Sequence, residues 1–266
     1  MFKDITIGQY YPTGSYVHEL DPRTKILATL ALIVGLFIIN TFVPYIYIVA
    51  FILGVVYVSK VPLGYVLKGL KPLRVLILFT FIINVFMSQG DIIWSIGPLN
   101  ATREGIYKAL FMAIRLILLV VGTSILTLTT SPISLTDGIE QLLNPMKKIG
   151  VPAHELAMMM TIALRFIPTL LEETEKIMKA QMARGADFES GNVISRAKGL
   201  VPLLVPLFIS AFRRADELAM AMEARCYRGG ENRTKMKELK MDRGDTIALA
   251  TTALLLVILV VHRTVL

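Results

Sequence analysis

Residues 26–59 read ILATLALIVGLFIINTFVPYIYIVAFILGVVYVS, 34 positions without a single Asp, Glu, Lys or Arg. A bilayer core of roughly 30 Å is crossed by about 17–25 helical residues, so the run is long enough for two crossings. The Asn40-Thr41 step and Pro44 divide it into two segments of about 17 residues each. The pattern predicts a tight helical hairpin within a membrane. Further uncharged runs follow at Val75–Gly90, Leu116–Thr136 and Thr246–Val261. The shorter ones reach across if Arg74 and Arg263 extend their charged ends to the interface. Composition agrees: 55% of residues are hydrophobic and 18% charged. A soluble domain carries roughly a quarter charged residues.

The formal net charge is +8. In a polytopic membrane protein the distribution of Lys and Arg among the loops matters more than their sum. Arg23 and Lys25 precede the first apolar run, at the expected membrane surface, and Lys60, Lys68, Lys71 and Arg74 lie between the second and third. The stretch from Asp91 to Glu104 carries only Arg103, and the turn near Asn40 carries none. The bias predicts a multi-pass cell-membrane protein with a cytoplasmic N-terminus. Cytoplasmic too would be the 60–74 loop and the segment after Thr136. The basic excess thus orients the chain and does not indicate nucleic acid. One cysteine, Cys226, leaves no internal disulfide and no multi-cysteine metal site. The opening residues lack a charged, apolar and small-residue leader pattern, so no removable signal peptide is expected.

The chain reads as all-α, with about five to six membrane helices in three blocks. Residues 1–130 form membrane helices one to four, 131–245 a cytoplasmic domain built on two long helices, and 246–266 a last membrane helix. In "LDPRTKI", Asp21 suits the N-cap and Pro22 the first helical position. Leu135, Ile139, Leu142, Leu143 and Met146 recur at helical spacing, giving a short amphipathic helix that Pro145 and Gly150 close. Pro152 then opens a long helix reaching Arg184, with a kink or break expected at Pro168. The uncharged run 199–212 is short for a span and is expected to be buried or interfacial, which keeps Arg184 and Arg225 on one side of the membrane.

Two stretches, "AQMARGADFE" (180–189) and "AMEARCYRGG" (221–230), finish helical patterns with Ala-Arg. Gly185 follows the first arginine, and Gly229-Gly230 lies a few residues after the second, so glycine is expected to close both helices. A cation in a last helical turn is favourable by roughly 0.3–1 kcal/mol, which suffices to explain one such arginine. Two of them, set among small residues and methionines, suggest more. Ala180, Ala183, Ala215, Ala219, Ala221 and Ala224 allow close backbone approach. Met178, Met182, Met220 and Met222 supply adaptable apolar contact of the kind used when a helix seats in a groove. Arginine would be the specific polar anchor.

The runs "LDPRTKI", "LRFIPTLLEETEKIMKAQMARG" and "MEARCYRGG", in that order along nearly the whole chain, resemble the transmembrane T component of energy-coupling factor transporters, the family that includes cobalt-uptake permease subunits. The resemblance implies a pair of long crossing coupling helices. Each would dock its end on one of two homologous ABC-type ATPase subunits, through Ala183-Arg184-Gly185 and Ala224-Arg225-Cys226. Cys226 stands where glycine or serine is usual, and it is still small. Met178, Ala180, Met182, Ala215, Ala219, Met220 and Met222 would pack along the coupling helices. The implied partners are the ATPases, a substrate-binding membrane subunit held through an apolar surface, and membrane lipid. The implied cargo is a vitamin or a metal ion. ATP-driven closure of the ATPases would move the docked ends.

The chain lacks a G-x-x-x-x-G-K-[ST] phosphate loop, so energy would come from a partner and the chain would be a non-catalytic subunit without a cofactor. His154-Glu155 is followed by Leu156-Ala157-Met158-Met159, so no H-E-x-x-H metal site forms, and His18 and His262 are isolated. Cys226 has no histidine near it to make a nucleophile. Arg165 reads either as an internal partner of Glu172 or Glu173 or as an interfacial arginine, and Arg115 as an interface anchor. A secondary transporter with a cytoplasmic regulatory helical domain is the alternative. It would predict ionisable groups near mid-bilayer, and the first two apolar segments have none. An intramembrane enzyme would need a nucleophile–base or metal constellation that the sequence does not assemble.

Overall fold

The computed structural model describes residues 10–96, 99–186, 188, 193–230 and 239–265. Ten α-helices and one 3-10 helix account for most of these residues. The helices are α1 (Tyr16–Glu19), α2 (Pro22–Ile38), α3 (Val43–Ser59), α4 (Leu63–Lys68), α5 (Arg74–Met87), α6 (Arg103–Thr129), α7 (Pro132–Leu143), α8 (Ala153–Ala183), α9 (Val193–Ala224) and α10 (Arg243–Val265). The 3-10 helix Asn144–Ile149 precedes α8. Among the described residues, three helical stretches are long and apolar enough to cross a membrane: Arg103–Thr129, Ala153–Ala183 and Arg243–Thr264. The apolar helices α3 and α5 are shorter. The chain divides into two compact units, one of residues 6–142 with 237–266 and one dominated by residues 143–236. The stretches 189–192 and 231–238 of the expected 131–245 block lie outside the described residues.

In the larger unit α6 is the central post, packed against α2, α3, α4 and α5, while α10 returns to pack on α2 and α3. Buried Leu32 and Leu36 of α2, Ile48 and Ile52 of α3, Leu118 of α6 and Leu259 of α10 share one apolar cluster. Two glycines set the closest approaches. A Cβ on Gly122 would collide with Leu32, and one on Gly35 would lie 3.0 Å from the Leu259 side chain. The expected tight hairpin of the first two apolar segments is therefore corrected in detail. Helices α2 and α3 are joined by residues 39–42, yet α2 leans chiefly on α10 and α6, and α3 on α1, α6 and α10. A sequence run shows that two crossings follow one another but not which third helix inserts beside them.

Asp21 caps α2 as expected, accepting from the backbone N–H of Arg23 at 2.9 Å and from its guanidinium at 2.7 Å. Lys25, expected at the membrane surface, is buried among protein groups. Its ammonium donates to the carbonyl oxygens of His18 at 2.9 Å and Thr129 at 3.0 Å, tying the starts of α1 and α2 to the end of α6. Asp245, 2% exposed, accepts from the backbone N–H groups of Asp21 at 2.8 Å and Asp242 at 2.9 Å, so the entry to α10 is bound to the entry to α2. Arg115 is more than an interface anchor. Its guanidinium donates to the Ile39 carbonyl at 2.6 Å, satisfying a terminal carbonyl of α2, and lies over the Phe111 ring at 4.8 Å.

Between α5 and α6, strands β1 (Ile92–Ile96) and β2 (Leu99–Thr102) pair antiparallel, with Ser95 opposite Asn100 and an irregularity between Ile92 and Trp94. The charge pattern predicted only a connecting loop there. The apolar, β-favouring residues Ile92, Ile93, Trp94 and Ile96 were the overlooked signal.

In the other unit α8 and α9 form an antiparallel pair. Gln181 near the end of α8 donates to the Pro202 carbonyl in the first part of α9 at 3.4 Å. Glu173 pairs with Arg214 at 3.2 Å, and His154 at the start of α8 lies 3.3 Å from the Tyr227 hydroxyl just beyond α9. Pro168 does not break α8, nor do Pro202 and Pro206 break α9. A long helix absorbs a missing N–H when the turns on both sides continue. The 199–212 run, expected to be buried or interfacial, lies inside α9 with a side exposed in this chain: Val205, Phe208, Ile209 and Phe212 all face outward.

Candidate functional site

The two Ala-Arg ends close in the same way, bond for bond. At the end of α8, Arg184 N–H donates to Gln181 at 3.1 Å, Gly185 N–H to Met182 at 2.9 Å and Ala186 N–H to Gln181 at 3.0 Å. At the end of α9, Arg225 N–H donates to Met222 at 3.1 Å, Cys226 N–H to Glu223 at 2.8 Å and Tyr227 N–H to Met222 at 3.0 Å. Each is a six-residue closure whose bond from the second residue past the cap back to the third-last helical carbonyl requires one left-handed residue. That residue is Gly185 at φ 89° in the first end and Cys226 at φ 54° in the second. Gly229-Gly230 was expected to close α9. It does not: Cys226 makes the turn, and Gly229, at φ 88°, makes a separate one downstream. A left-handed conformation costs a non-glycine residue roughly 1–2 kcal/mol, so the closure at Cys226 is held by its surroundings rather than by intrinsic preference.

The backbone identity has a consequence for the side chains. Arg184 and Arg225 occupy equivalent positions on equivalent caps, and both are exposed. Ala183, Gly185, Ala224 and Cys226 are exposed beside them. Ala180, Met182, Ala215, Ala219 and Met220 are exposed as well, while Met178 and Met222 are half-buried. What flanks the caps differs. Lys179 and Gln181 of the first end correspond to Met220 and Met222 of the second. Met182 of the first corresponds in turn to Glu223 of the second, so the two ends carry their charged and apolar flanking residues at different positions.

The helix pair keeps the two ends apart. Glu173 lies eleven residues before Arg184, and Arg214 eleven before Arg225 (184 − 173 and 225 − 214). At 1.5 Å per residue each arginine is about 16 Å from that contact, in opposite directions because the helices are antiparallel. Of the two readings of Arg165, the internal pair with Glu172 or Glu173 is corrected, and that of an interfacial arginine stands. Arg165 is exposed and Glu173 is bonded to Arg214 of the neighbouring helix. The signal for this contact was present: the 41-residue offset relating the two ends places Glu172-Glu173 opposite Arg213-Arg214. Among the described residues no group of His, Cys, Asp and Glu is placed to hold a metal ion.

Comparison with known proteins bears on the whole chain. The family model described as cobalt transport protein, CbiQ, matches residues 13–236. The chain is 64% identical over 255 residues to the energy-coupling factor transporter transmembrane protein EcfT of Thermosediminibacter oceani, covering 96% of each. Identity is 62% over 265 residues to the protein of the same name from Clostridium kluyveri, covering 99% of this chain and 98% of that one. It is 50% over 260 residues to that of Bacillus subtilis, covering 97% and 98%. An all-α membrane chain with two matched helix ends, similar along its length to these proteins, belongs to the CbiQ family of energy-coupling factor transporter transmembrane components.

Proposed function

We propose that this chain is the coupling scaffold of an ATP-driven importer, with the matched ends of α8 and α9 as its two attachment points for a homologous pair of ABC-type ATPase subunits. Arg184 and Arg225 act as the polar anchors, seated in grooves by Ala183-Gly185 and Ala224-Cys226. The carrying observation is the bond-for-bond identity of the two caps, which present the same Ala-Arg unit at opposite ends of one rigid pair. Two arginines roughly 33 Å apart along the helix pair are suited to two separate subunits rather than to two sites on one.

In this reading closure of the ATPases on ATP displaces the two ends, and the α8–α9 pair carries the displacement into the membrane. The outward face of α9, with Val205, Phe208, Ile209 and Phe212 exposed, is of the kind that holds a substrate-binding membrane subunit. Met178 and Met222 pack the pair. The cargo class is a vitamin or a metal ion. Residues 1–130 and 246–266 hold the protein in the cell membrane with its N-terminus cytoplasmic, and residues 131–245 are the cytoplasmic coupling block.

The test is co-purification from membranes with the wild-type chain and the Arg184→Glu/Arg225→Glu variant. Two nucleotide-binding proteins and a small membrane protein should accompany the wild type. The variant should insert normally and lose the nucleotide-binding proteins. Undiminished association and transport in the variant would sink the docking model.

A further inference from the structure

A cavity of about 400 Å³ lies in the larger unit among α2, α3, α6 and α10. That volume falls within the range of small-molecule sites, roughly 300–1,000 Å³. Its walls are hydrocarbon for most of their extent, from Leu32, Phe51, Ile52, Val55, Ile125 and Leu126. Along its edge, Ala50, Gly54 and Val58 of α3 follow one another at one-turn spacing and are exposed, as are Ile247 and Thr251 of α10. The cavity therefore opens sideways between two apolar helices, past small residues, where a membrane protein meets acyl chains.

Another part of the lining is different. Lys25, 7% exposed, lies between this cavity and a smaller, more polar one of about 260 Å³ that His18, Thr129 and Ser131 also line. An ammonium has three N–H donors. Two are taken by the carbonyl oxygens of His18 and Thr129. Thr24, fully buried, lines the larger cavity, and its hydroxyl has no partner. The nearby carboxylates do not fill these vacancies. Asp21 is engaged by Arg23, and Asp245 by the backbone N–H groups of Asp21 and Asp242.

We infer that the cavity binds a single-chain carboxylate amphiphile, a long-chain fatty acid, with its tail among the apolar walls and its carboxylate accepting from Lys25. A compact anionic head matches a cation enclosed between the α1 and α6 carbonyls. A diacyl phospholipid would have to bring a phosphate headgroup and a second chain to the same enclosed ammonium. The inference does not depend on ATPase docking.

The experiment uses the full-length chain in phosphatidylcholine vesicles and nitroxide-labelled stearate, read by electron spin resonance. The wild type should immobilise the label at about one per chain, and unlabelled stearate should displace it. The labelled methyl ester should be held roughly tenfold or more weakly, because a hydrogen bond to a charged group is lost. Gly54→Leu should abolish the immobilised signal by narrowing the opening that Gly54 lines, where an added Cβ meets nothing within 4 Å. Equal retention of the acid and the methyl ester by the wild type would overturn the inference without recourse to any variant. So would full binding by Gly54→Leu, or displacement of the label by phosphatidylglycerol and not by stearate.

Discussion

Glu173 and Arg214 meet at 3.2 Å between α8 and α9, at positions that correspond when the two helix ends are aligned. The contact sits on the local two-fold relation of the pair, equidistant along the chain from Arg184 and Arg225. Half-exposed ion pairs contribute little to stability, about 0–1 kcal/mol. This one sits where the two helices would turn against each other, so its effect belongs to coupling. Glu173→Arg and Arg214→Glu, each alone, place like charges across the contact and should lower transport per ATP hydrolysed several-fold, while ATPase co-purification persists. The combined exchange should restore it. Equal transport per ATP in all four proteins would remove the pair from the coupling path.

The flanks of the two caps differ, with Lys179 and Gln181 at one and Met220 and Met222 at the other, so each end suits a different groove. Arg184→Glu should release one of the two ATPases and Arg225→Glu the other. Quantifying each ATPase in the membranes of the single variants distinguishes this from interchangeable ends, where both would fall together.

Cys226 holds a left-handed turn that glycine holds at Gly185. Cys226→Gly should relieve about 1 kcal/mol of backbone cost and slow hydrogen exchange at the Tyr227 amide, which bonds to Met222. Cys226→Val, with a branched Cβ at positive φ, should speed exchange there and weaken association with the ATPases. Amide exchange by mass spectrometry reads both.

Asp21 makes the entry to α2 acid-sensitive. Burial pushes its carboxyl up. The hydrogen bonds from the Arg23 side chain and backbone, with the charges of Arg23 and Lys25, outweigh burial and hold it below its ordinary value of 3.8. A carboxyl lowered on folding contributes stability that is present above its unfolded value and is lost as pH falls through the lower folded value. Thermal unfolding in detergent should therefore show a loss of stability below about pH 4 that Asp21→Asn does not show. At neutral pH asparagine still caps the helix, so the same substitution should cost about 1–2 kcal/mol through the lost charge on the Arg23 pair.

The uncharged run from Ile26 to Ser59, the Asp21-Pro22 start and the repeated Ala-Arg ends were legible because each is written in local order: length without charge, a cap beside its helix, a cation in a last turn. The same local order yielded the long helices bounded near Ala153, Ala183 and Ala224. Four things had to wait for tertiary structure. Lys25 is buried because α1 and α6 bring carbonyls to it from residues 18 and 129. Helices α2 and α3 separate because α6 and α10 take the adjoining faces. Glu173 turns to Arg214 because the helices run antiparallel. Cys226, rather than the glycines after it, takes the left-handed turn because the carbonyl of Met222 is already waiting for the Tyr227 amide. Periodicity and charge act over a few turns of one helix, whereas the partner of a buried ammonium or a crossing carboxylate is chosen by whichever distant segment packing brings within reach.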